Sequence, residues 1–288
     1  MSHINSQQMN ICPCGSGKDF SKCCEPYATL LPTYEPANET VLISWMDRYS
    51  PPIQDSFRKK AKGFIFRVSI YADFIFNFLY PLGFKSFPEN QELIDESVRA
   101  IKHNIMLSLI ASLSCLAQGL FLQSGSLIRN CIEDSLVLLD IYENGEQLDK
   151  FLLGNYSANK VLKRVKQYIP NEFKQWYGHF SANFAHFGPF HSAPYMPRSC
   201  YQDNFVLGSG LENILLGTYL YHVILERAHF SQLQASVFWI IRNSNLVFSD
   251  DNNITKYVHK LQKAILAEFP PDERKEGYEY SQRGYRFK

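Results

Sequence analysis

The sequence predicts an all-α protein, a multi-helix bundle with a small cysteine-rich segment in front of it. Long segments repeat their apolar residues at helical spacing and are separated by short Gly or Pro breaks. No run shows sustained alternation of apolar and polar residues bounded by hairpin turns, the pattern of exposed strands. These two observations predict the bundle. A third predicts the small segment, because four of the seven cysteines stand within thirteen residues near the start of the chain.

The predicted helices follow one another along the chain, and most end at a residue that breaks helices. They cover about 39–49, 54–80, 89–123, 126–144, 146–168, 171–187, 208–230, 231–247 and 253–268. The breaks lie at Pro81, Gly125, Gly145, Pro170, Gly188-Pro189 and Pro270-Pro271. We therefore expect four parts: a knuckle at 1–26, a proline-rich linker at 27–37, an all-helical domain at 38–269 and a tail at 270–288.

The cysteine-rich segment has the spacing of a metal knuckle. Cys12, Cys14, Cys23 and Cys24 form a C-x-C-x8-C-C pattern with glycines between the two pairs. Four thiolates at short spacing suit a tetrahedral Zn²⁺ that holds together a segment too small to bury a core. Because all four positions are filled by protein, the ion is expected to fold the segment and not to carry out catalysis. The sequence thus predicts a small N-terminal zinc knuckle.

The same residues resemble the SEC-C motif, a small zinc-binding segment at the end of the SecA translocation ATPase and on many unrelated bacterial proteins. The resemblance includes Cys12-Pro13-Cys14-Gly15-Ser16-Gly17-Lys18, Phe20 and Lys22-Cys23-Cys24. In that family the last ligand is His or Cys. The resemblance implies zinc binding and contact with partners such as chaperones or ribosomes, and it covers less than a tenth of the chain.

Two other readings of this segment are disfavoured. Gly15-Ser16-Gly17-Lys18 lacks the earlier glycine and the following Ser or Thr of a phosphate-binding loop. Disulfides are disfavoured because the start of the chain is polar and shows no apolar signal segment, so we expect a cytoplasmic protein with reduced thiols.

A net charge of +1 indicates no general affinity for polyanions, and any RNA contact would need a local patch.

One stretch is long and apolar enough to be weighed as a membrane span. Residues 104–128 contain no charged side chain. Seven Ser and Gln residues in it are many polar groups for hydrocarbon, and no basic cluster flanks it closely. We expect a central helix of a bundle and no membrane association.

Arg129 and Glu133 form the most informative pair of the helical part. They are four residues apart and share a helical face with apolar neighbours. One interpretation is a structural ion pair. The other is that the pair lines a polar cleft.

A second polar group of residues lies about fifty positions later. His179 and His186 are seven apart, with Asn183 between them. Residues at this spacing lie about 10 Å apart along a helix, too far to share one ion without other ligands. We expect His186 either to pack among aromatic side chains or to belong to a polar site, and we expect no second metal.

The helix with Arg129 and Glu133, followed by the helix end with Ser181 and His186, resembles uncharacterised bacterial helical proteins that are similar to the HEPN superfamily. The resemblance implies a dimeric helical bundle, in some members a ribonuclease of stress responses or phage defence. The chain departs from the usual HEPN signature, in which four to six residues separate an Arg from a His, since Arg99 and His103 have only three residues between them.

Two functional hypotheses follow. In the first, the protein is a non-catalytic interaction or targeting module that docks through the knuckle on a protein or ribosome. In the second, it is a HEPN-like ribonuclease or toxin with Arg129, Glu133 and His186 in its site. In both, the abundance of aromatic and apolar residues, with the resemblance, predicts a homodimer. The tail mixes aromatic and basic residues that either pack on the domain or stack on RNA or a partner.

Overall fold

The computed structural model of the chain describes residues 18–22, 48–82, 91–144, 146–156, 160–185 and 204–269. The chain divides into two compact units, Met1–Pro52 and Ile53–Lys288. In the first unit the described residues contain a 3-10 turn at Phe20–Lys22. Nearly all of the helix predicted at 39–49 lies outside the described residues, as do the linker and the tail.

The described residues form eight α-helices and one β-hairpin. The helices are α1 (Ser50–Phe78), α2 (Gln91–Ala117), α3 (Phe121–Glu143), α4 (Glu146–Leu152), α5 (Val161–Val165), α6 (Asn171–Phe180), α7 (Asn204–Ala228) and α8 (Asn253–Glu268). A π-helical turn, Ser181–Ala185, continues α6. The hairpin consists of β1 (Trp239–Arg242) and β2 (Asn245–Phe248). The all-α prediction is thus confirmed for the described residues, apart from the hairpin.

Helix α3 lies at the centre of the bundle. It packs against α2, α4, α5, α6 and α7, and every residue from Ser135 to Ile141 is buried. Helix α7 is the second central helix, with every residue from Gly217 to Glu226 buried. Within these two buried stretches only Asp140 and Glu226 are charged, because a helix buried on all sides needs no polar face.

Helices α1 and α8 both contact α7. The hydroxyl of Tyr71 on α1 lies 2.9 Å from Nδ1 of His222 on α7. The hydroxyl of Tyr219 on α7 lies 3.3 Å from that of Thr255 on α8. Tyr257 on α8 donates a 3.0 Å hydrogen bond to the carbonyl of Arg67 on α1. These contacts fix the two outer helices to the core.

The boundary between the predicted helices 89–123 and 126–144 was wrong by several residues. Helix α2 ends at Ala117 and α3 begins at Phe121, with Gly119 between them at φ +81°. This left-handed conformation favours glycine and allows the chain to reverse within three residues. Gly125 does not end a helix but lies inside α3, where it has a packing role described below.

The uncharged stretch 104–128 is therefore the turn of a helix pair and not one continuous helix. Ser112 on α2 donates a 3.0 Å hydrogen bond to the carbonyl of Ser124 on α3, so this buried hydroxyl is satisfied between the two helices. By length and composition alone, one described helical segment, Asp95–Ala117, could cross a membrane, and 33% of its most apolar window is buried. A core helix of a soluble protein passes the same test.

The helix predicted at 231–247 is wrong, because this segment contains the hairpin. β1 and β2 pair antiparallel, with Trp239 opposite Phe248 and Arg242 opposite Asn245. The turn residues Asn243 and Ser244 have φ values of 49° and 63°, as a type I′ turn requires. Sequence analysis missed the turn because it lacks the glycine that usually marks it.

Tertiary contacts also favour the hairpin over a helix. The buried carboxylate of Glu226 on α7 accepts hydrogen bonds from the backbone N–H groups of Val237 and Phe238. The indole of Trp239 donates a 2.9 Å bond to the carbonyl of Val223. Partners distant in sequence thus decide the structure of a short apolar run that periodicity leaves ambiguous.

Two further predicted helices are shorter than expected. The segment 146–168 is divided into α4 and α5 by a turn at Leu153-Gly154, where Gly154 has φ +70°. The segment 171–187 is α-helical only to Phe180 and continues as the π-helical turn.

Candidate functional site

The described residues of the cysteine-rich segment, 18–22, lie between its two cysteine pairs. The backbone N–H of Lys22 donates a 3.0 Å hydrogen bond to the carbonyl of Asp19, which closes a tight turn. Lys18, Asp19, Ser21 and Lys22 are exposed. A tight turn at this point suits a knuckle, since the segments on its two sides must return to one ion. The four predicted ligands, Cys12, Cys14, Cys23 and Cys24, lie outside the described residues.

The donor set fits zinc by its chemistry. Four cysteines supply the soft thiolates of a closed tetrahedral site. Bound there, Zn²⁺ would stabilise the fold of the segment, and the exposed turn residues would form part of its surface. Among the described residues, no other group of three or more His, Cys, Asp or Glu side chains could hold a metal ion.

In the helical body, Arg129 and Glu133 do form an ion pair on α3. Nη2 of Arg129 lies 2.5 Å from Oε1 of Glu133. Tyr177 on α6 donates a 2.7 Å hydrogen bond to the same carboxylate oxygen. Burial, then the hydrogen bond to Glu133, raises the pKa of Tyr177. We call these three residues the α3–α6 cluster.

The α3–α6 cluster is partly open to solvent. The side chains of Arg129 and Glu133 are 22% and 27% exposed, and the guanidinium lies 6.0 Å from the centre of the Tyr177 ring. Nε of Arg129 is buried and has no hydrogen-bond partner among the described residues. The neighbouring Asp134 has its pKa raised to about 6, by burial and then by the charge of Glu133. Glu133 therefore orients the Arg129 guanidinium at a half-buried surface, and one of its N–H donors, Nε, is left without a hydrogen-bond acceptor in the part of the chain that the structure describes.

The end of α6 is held on α3 by small residues. The hydroxyl of Ser126 donates a 2.8 Å hydrogen bond to the carbonyl of Phe184 in the π-helical turn. A Cβ atom on Gly125 would lie 2.2 Å from the Phe184 ring, so only glycine permits this approach. Gly125 and Ser126 lie about one turn before Arg129 on the same helix. The chain that leads to His186 therefore passes close to the α3–α6 cluster.

Of the second polar group, His179 and Asn183 are described and contact each other. The amide nitrogen of Asn183 lies 3.0 Å from Nδ1 of His179 and donates a 2.9 Å bond to the carbonyl of that residue. Burial lowers the pKa of His179, so the neutral imidazole is favoured at neutral pH. His186 lies outside the described residues, and its predicted place beside Arg129 and Glu133 stays a prediction.

Sequence analysis missed Tyr177 and Ser126 in this region. Tyr177 comes from a helix 44 residues further along the chain, and no local pattern marks such a contact. The adjacent small residues Gly125 and Ser126 were a usable signal, because small residues in a helix mark positions where another backbone approaches closely.

A second polar group of residues lies where the C-terminal ends of α1, α3 and α7 meet the middle of α2. Nζ of Lys102, on α2, lies 2.6 Å from the carbonyl oxygen of Leu82 and 2.6 Å from Nε2 of His229. The hydroxyl of Tyr142 lies 3.1 Å from the same imidazole nitrogen. Burial lowers the pKa of Lys102 to about 7, and burial together with Lys102 lowers that of His229 to about 3. Lys102 and His229 are almost completely buried, so we assign them a structural role.

The described geometry defines a mostly helical protein with an N-terminal cysteine-rich motif. Comparison with known families places that motif: residues 10–26 match the SEC-C motif. The match covers the four predicted zinc ligands and the turn at Phe20–Lys22. No curated protein and no solved structure matches the chain. The similarity of the helical body to HEPN proteins therefore stays a prediction.

Proposed function

We propose that the protein is a zinc-binding interaction module whose knuckle docks on a protein or ribosome partner. The match of residues 10–26 to the SEC-C motif carries this proposal. Cys12, Cys14, Cys23 and Cys24 hold the zinc ion, which shapes the segment between them. The exposed turn supports the docking role, since it offers two lysines to solvent at Lys18 and Lys22.

A ribosome-pelleting assay tests the docking role. Reversing both charges, with Lys18→Glu and Lys22→Glu, leaves the four cysteines in place. Because electrostatic contacts to a polyanionic partner depend on such lysines, the variant should pellet with ribosomes much less than the unchanged protein at low salt. Lys260→Glu with Lys263→Glu is the matched control, as these exposed lysines lie on α8.

Two outcomes would count against ribosome docking. One is a protein that does not pellet with ribosomes at any salt concentration. The other is equal loss of pelleting in the knuckle variant and the α8 control. Either result would leave a protein partner as the remaining form of the proposal, to be tested by the same variant pair against a candidate partner.

A second candidate function is a HEPN-like ribonuclease or toxin effector of stress response or phage defence. One observation favours it: Ser126, about one turn before the partly exposed Arg129 on α3, donates a hydrogen bond to Phe184 in the π-helical turn that precedes His186. In this role Arg129 would bind a phosphate of RNA, Glu133 would orient Arg129 and His186 would transfer a proton.

Growth on expression and cleavage of RNA by the purified protein test the second candidate. His186→Ala should abolish toxicity and cleavage while leaving the fold intact. His103→Ala, an exposed histidine on α2, is the matched control and should change neither. Absence of toxicity and of cleavage in the unchanged protein would end this candidate without affecting the docking proposal.

A further inference from the structure

Helix α1 has two apolar faces: one is buried in the core, and the other is exposed apart from an edge-on contact of the Phe74 ring with His222 on α7, with 5.6 Å between the ring centres. The buried face has an apolar residue every three or four positions from Ile53 to Leu79. Helix α1 contacts α7 through Tyr71 and α8 through the carbonyl of Arg67. The outward face carries a row of four large apolar side chains at intervals of four residues, Phe66, Ile70, Phe74 and Phe78. We call this row the α1 stripe.

The α1 stripe is strongly exposed. Its residues are 67%, 51%, 40% and 55% exposed in chain order. The rings of Phe74 and Phe78 stack with their centres 5.7 Å apart, which presents one continuous surface. Polar residues flank the stripe, with Arg67 on one side and Asp73 on the other, both exposed. A contiguous apolar patch with a polar rim is typical of an interaction surface.

We propose that a second copy of this chain docks on the α1 stripe and forms a two-fold symmetric dimer. The proposal concerns the helical body and goes beyond the function of the knuckle. Apolar residues four apart form the ridge that packs into the groove of another helix, most often at a crossing angle of about −50°. A second α1 supplies the same ridge, as an isologous interface requires. From Phe66 to Phe78 the stripe is about 18 Å long, enough for several turns to engage.

The exposed area of the α1 stripe is close to the apolar area that one partner contributes to a standard protein–protein interface. At roughly 200 Å² for a large apolar side chain, the four residues expose on the order of 400 Å². A standard interface buries about 800 Å² on each partner, somewhat more than half of it apolar. The stripe therefore supplies most of the apolar surface that one partner contributes, and its polar flanks supply the rim.

The charges at the rim of the stripe are compatible with a second copy. The two exposed residues that flank it, Arg67 and Asp73, are opposite in sign, so the rim adds no net charge to the interface. A basic group, Arg58, Lys59, Lys60 and Lys62, lies one to two turns before the stripe. Because basic and apolar residues together also suit an anionic membrane surface, vesicle binding is included in the test.

The test compares the oligomeric state of two double variants of the full-length protein. Phe66→Gln with Ile70→Gln removes half of the α1 stripe at positions that point away from the core. Leu107→Gln with Ile110→Gln is the matched control, because these α2 residues are 46% and 54% exposed. Sedimentation equilibrium over nanomolar to micromolar concentrations measures the dimer dissociation constant against a monomer mass of 33.3 kDa.

The unchanged protein and the α2 control should sediment as dimers at micromolar concentration. The α1 variant should raise the dissociation constant at least about tenfold, since large apolar residues at the centre of an interface contribute most of its affinity. Circular dichroism should show the same helical content in all three proteins.

Three results would overturn the proposal. The first is a monomer at every concentration. The second is a dimer that both double variants weaken equally, or that neither weakens. The third is co-sedimentation with vesicles of anionic phospholipid that the α1 variant abolishes while the dimer is unaffected, which would assign the stripe to a membrane surface.

Discussion

The α3–α6 cluster shows which residue contacts a local pattern predicts and which it does not. Arg129 and Glu133 were expected to meet because residues four apart lie on one face of a helix, and the structure brings them together. Tyr177 was not expected, since it arrives from another helix. The side chains of the pair are 22% and 27% exposed, so the cost of breaking it is smaller than that of a fully buried pair.

Glu133→Ala should lower the free energy of unfolding by about 1–2 kcal/mol, because it removes the partner of a half-buried guanidinium and the acceptor of Tyr177. Urea unfolding followed by circular dichroism measures the change. Asp55→Ala removes a strongly exposed pair with Lys59 and should change stability by less than about 0.5 kcal/mol. Equal effects of the two substitutions would show that the α3–α6 cluster contributes no more than a surface pair.

Lys102 should make stability depend on pH just above neutrality. Its pKa is lowered to about 7 from 10.5, so between these values the unfolded chain holds more protons than the folded one. The free energy of unfolding should then rise with pH, by about 1.6 kcal/mol between pH 7 and 8.5 and by at most about 1.4 kcal/mol per pH unit. The contribution of Lys102 to stability is complete only above the pKa of the unfolded chain, 10.5, and is lost as the pH falls through its folded pKa of about 7.

Comparison with Lys102→Met isolates this contribution. Met has similar length and no titrating group, so the variant should lose the rise over this pH range. His229 stays neutral there, because its pKa is about 3. Parallel pH profiles for the two proteins would show that Lys102 keeps an ordinary pKa in the folded state.

At the scale of elements, helix ends were predicted well where the chain itself supplies the signal. Helix α8 was expected at 253–268 and spans Asn253–Glu268. Asn252 caps it by accepting a 2.8 Å hydrogen bond from the backbone N–H of Thr255. The prediction of the α2–α3 boundary was wrong because Gly119 and Gly125 look alike in sequence, although Gly119 makes a turn and Gly125 permits close packing. The hairpin was not predicted because Glu226, whose carboxylate holds it, lies outside the segment 231–247.

The different roles of two glycines can be tested directly. Gly125→Ala would place a methyl group against the Phe184 ring and should destabilise the protein by about 1–3 kcal/mol, as overpacking does. Gly63→Ala on α1 adds the same group where no described atom lies within 4 Å. It should stabilise by up to about 1 kcal/mol through helix propensity. Thermal unfolding of both variants measures the contrast, and a gain in stability with Gly125→Ala would contradict the packing.

For the whole molecule, the fold class could be predicted because long helices that pack on one another repeat their apolar residues along the sequence. The SEC-C motif could be predicted for a different reason, since its four cysteines stand close together in the sequence at a spacing typical of zinc ligands. The arrangement of the helices could not be predicted. It depends on contacts such as Ser126 with Phe184 and Lys102 with His229, which join residues far apart in the chain.

The zinc content of the purified protein tests the central claim most directly. Native mass spectrometry of reduced protein should show one zinc ion on each chain of 33.3 kDa. Cys23→Ser with Cys24→Ser should contain none, while Cys115→Ser, a control at a half-buried position on α2, should keep it. Chelation should leave the helical circular dichroism of the body nearly unchanged. A reduced, unchanged protein without metal, or an equal zinc content in the Cys23→Ser Cys24→Ser variant, would contradict the account.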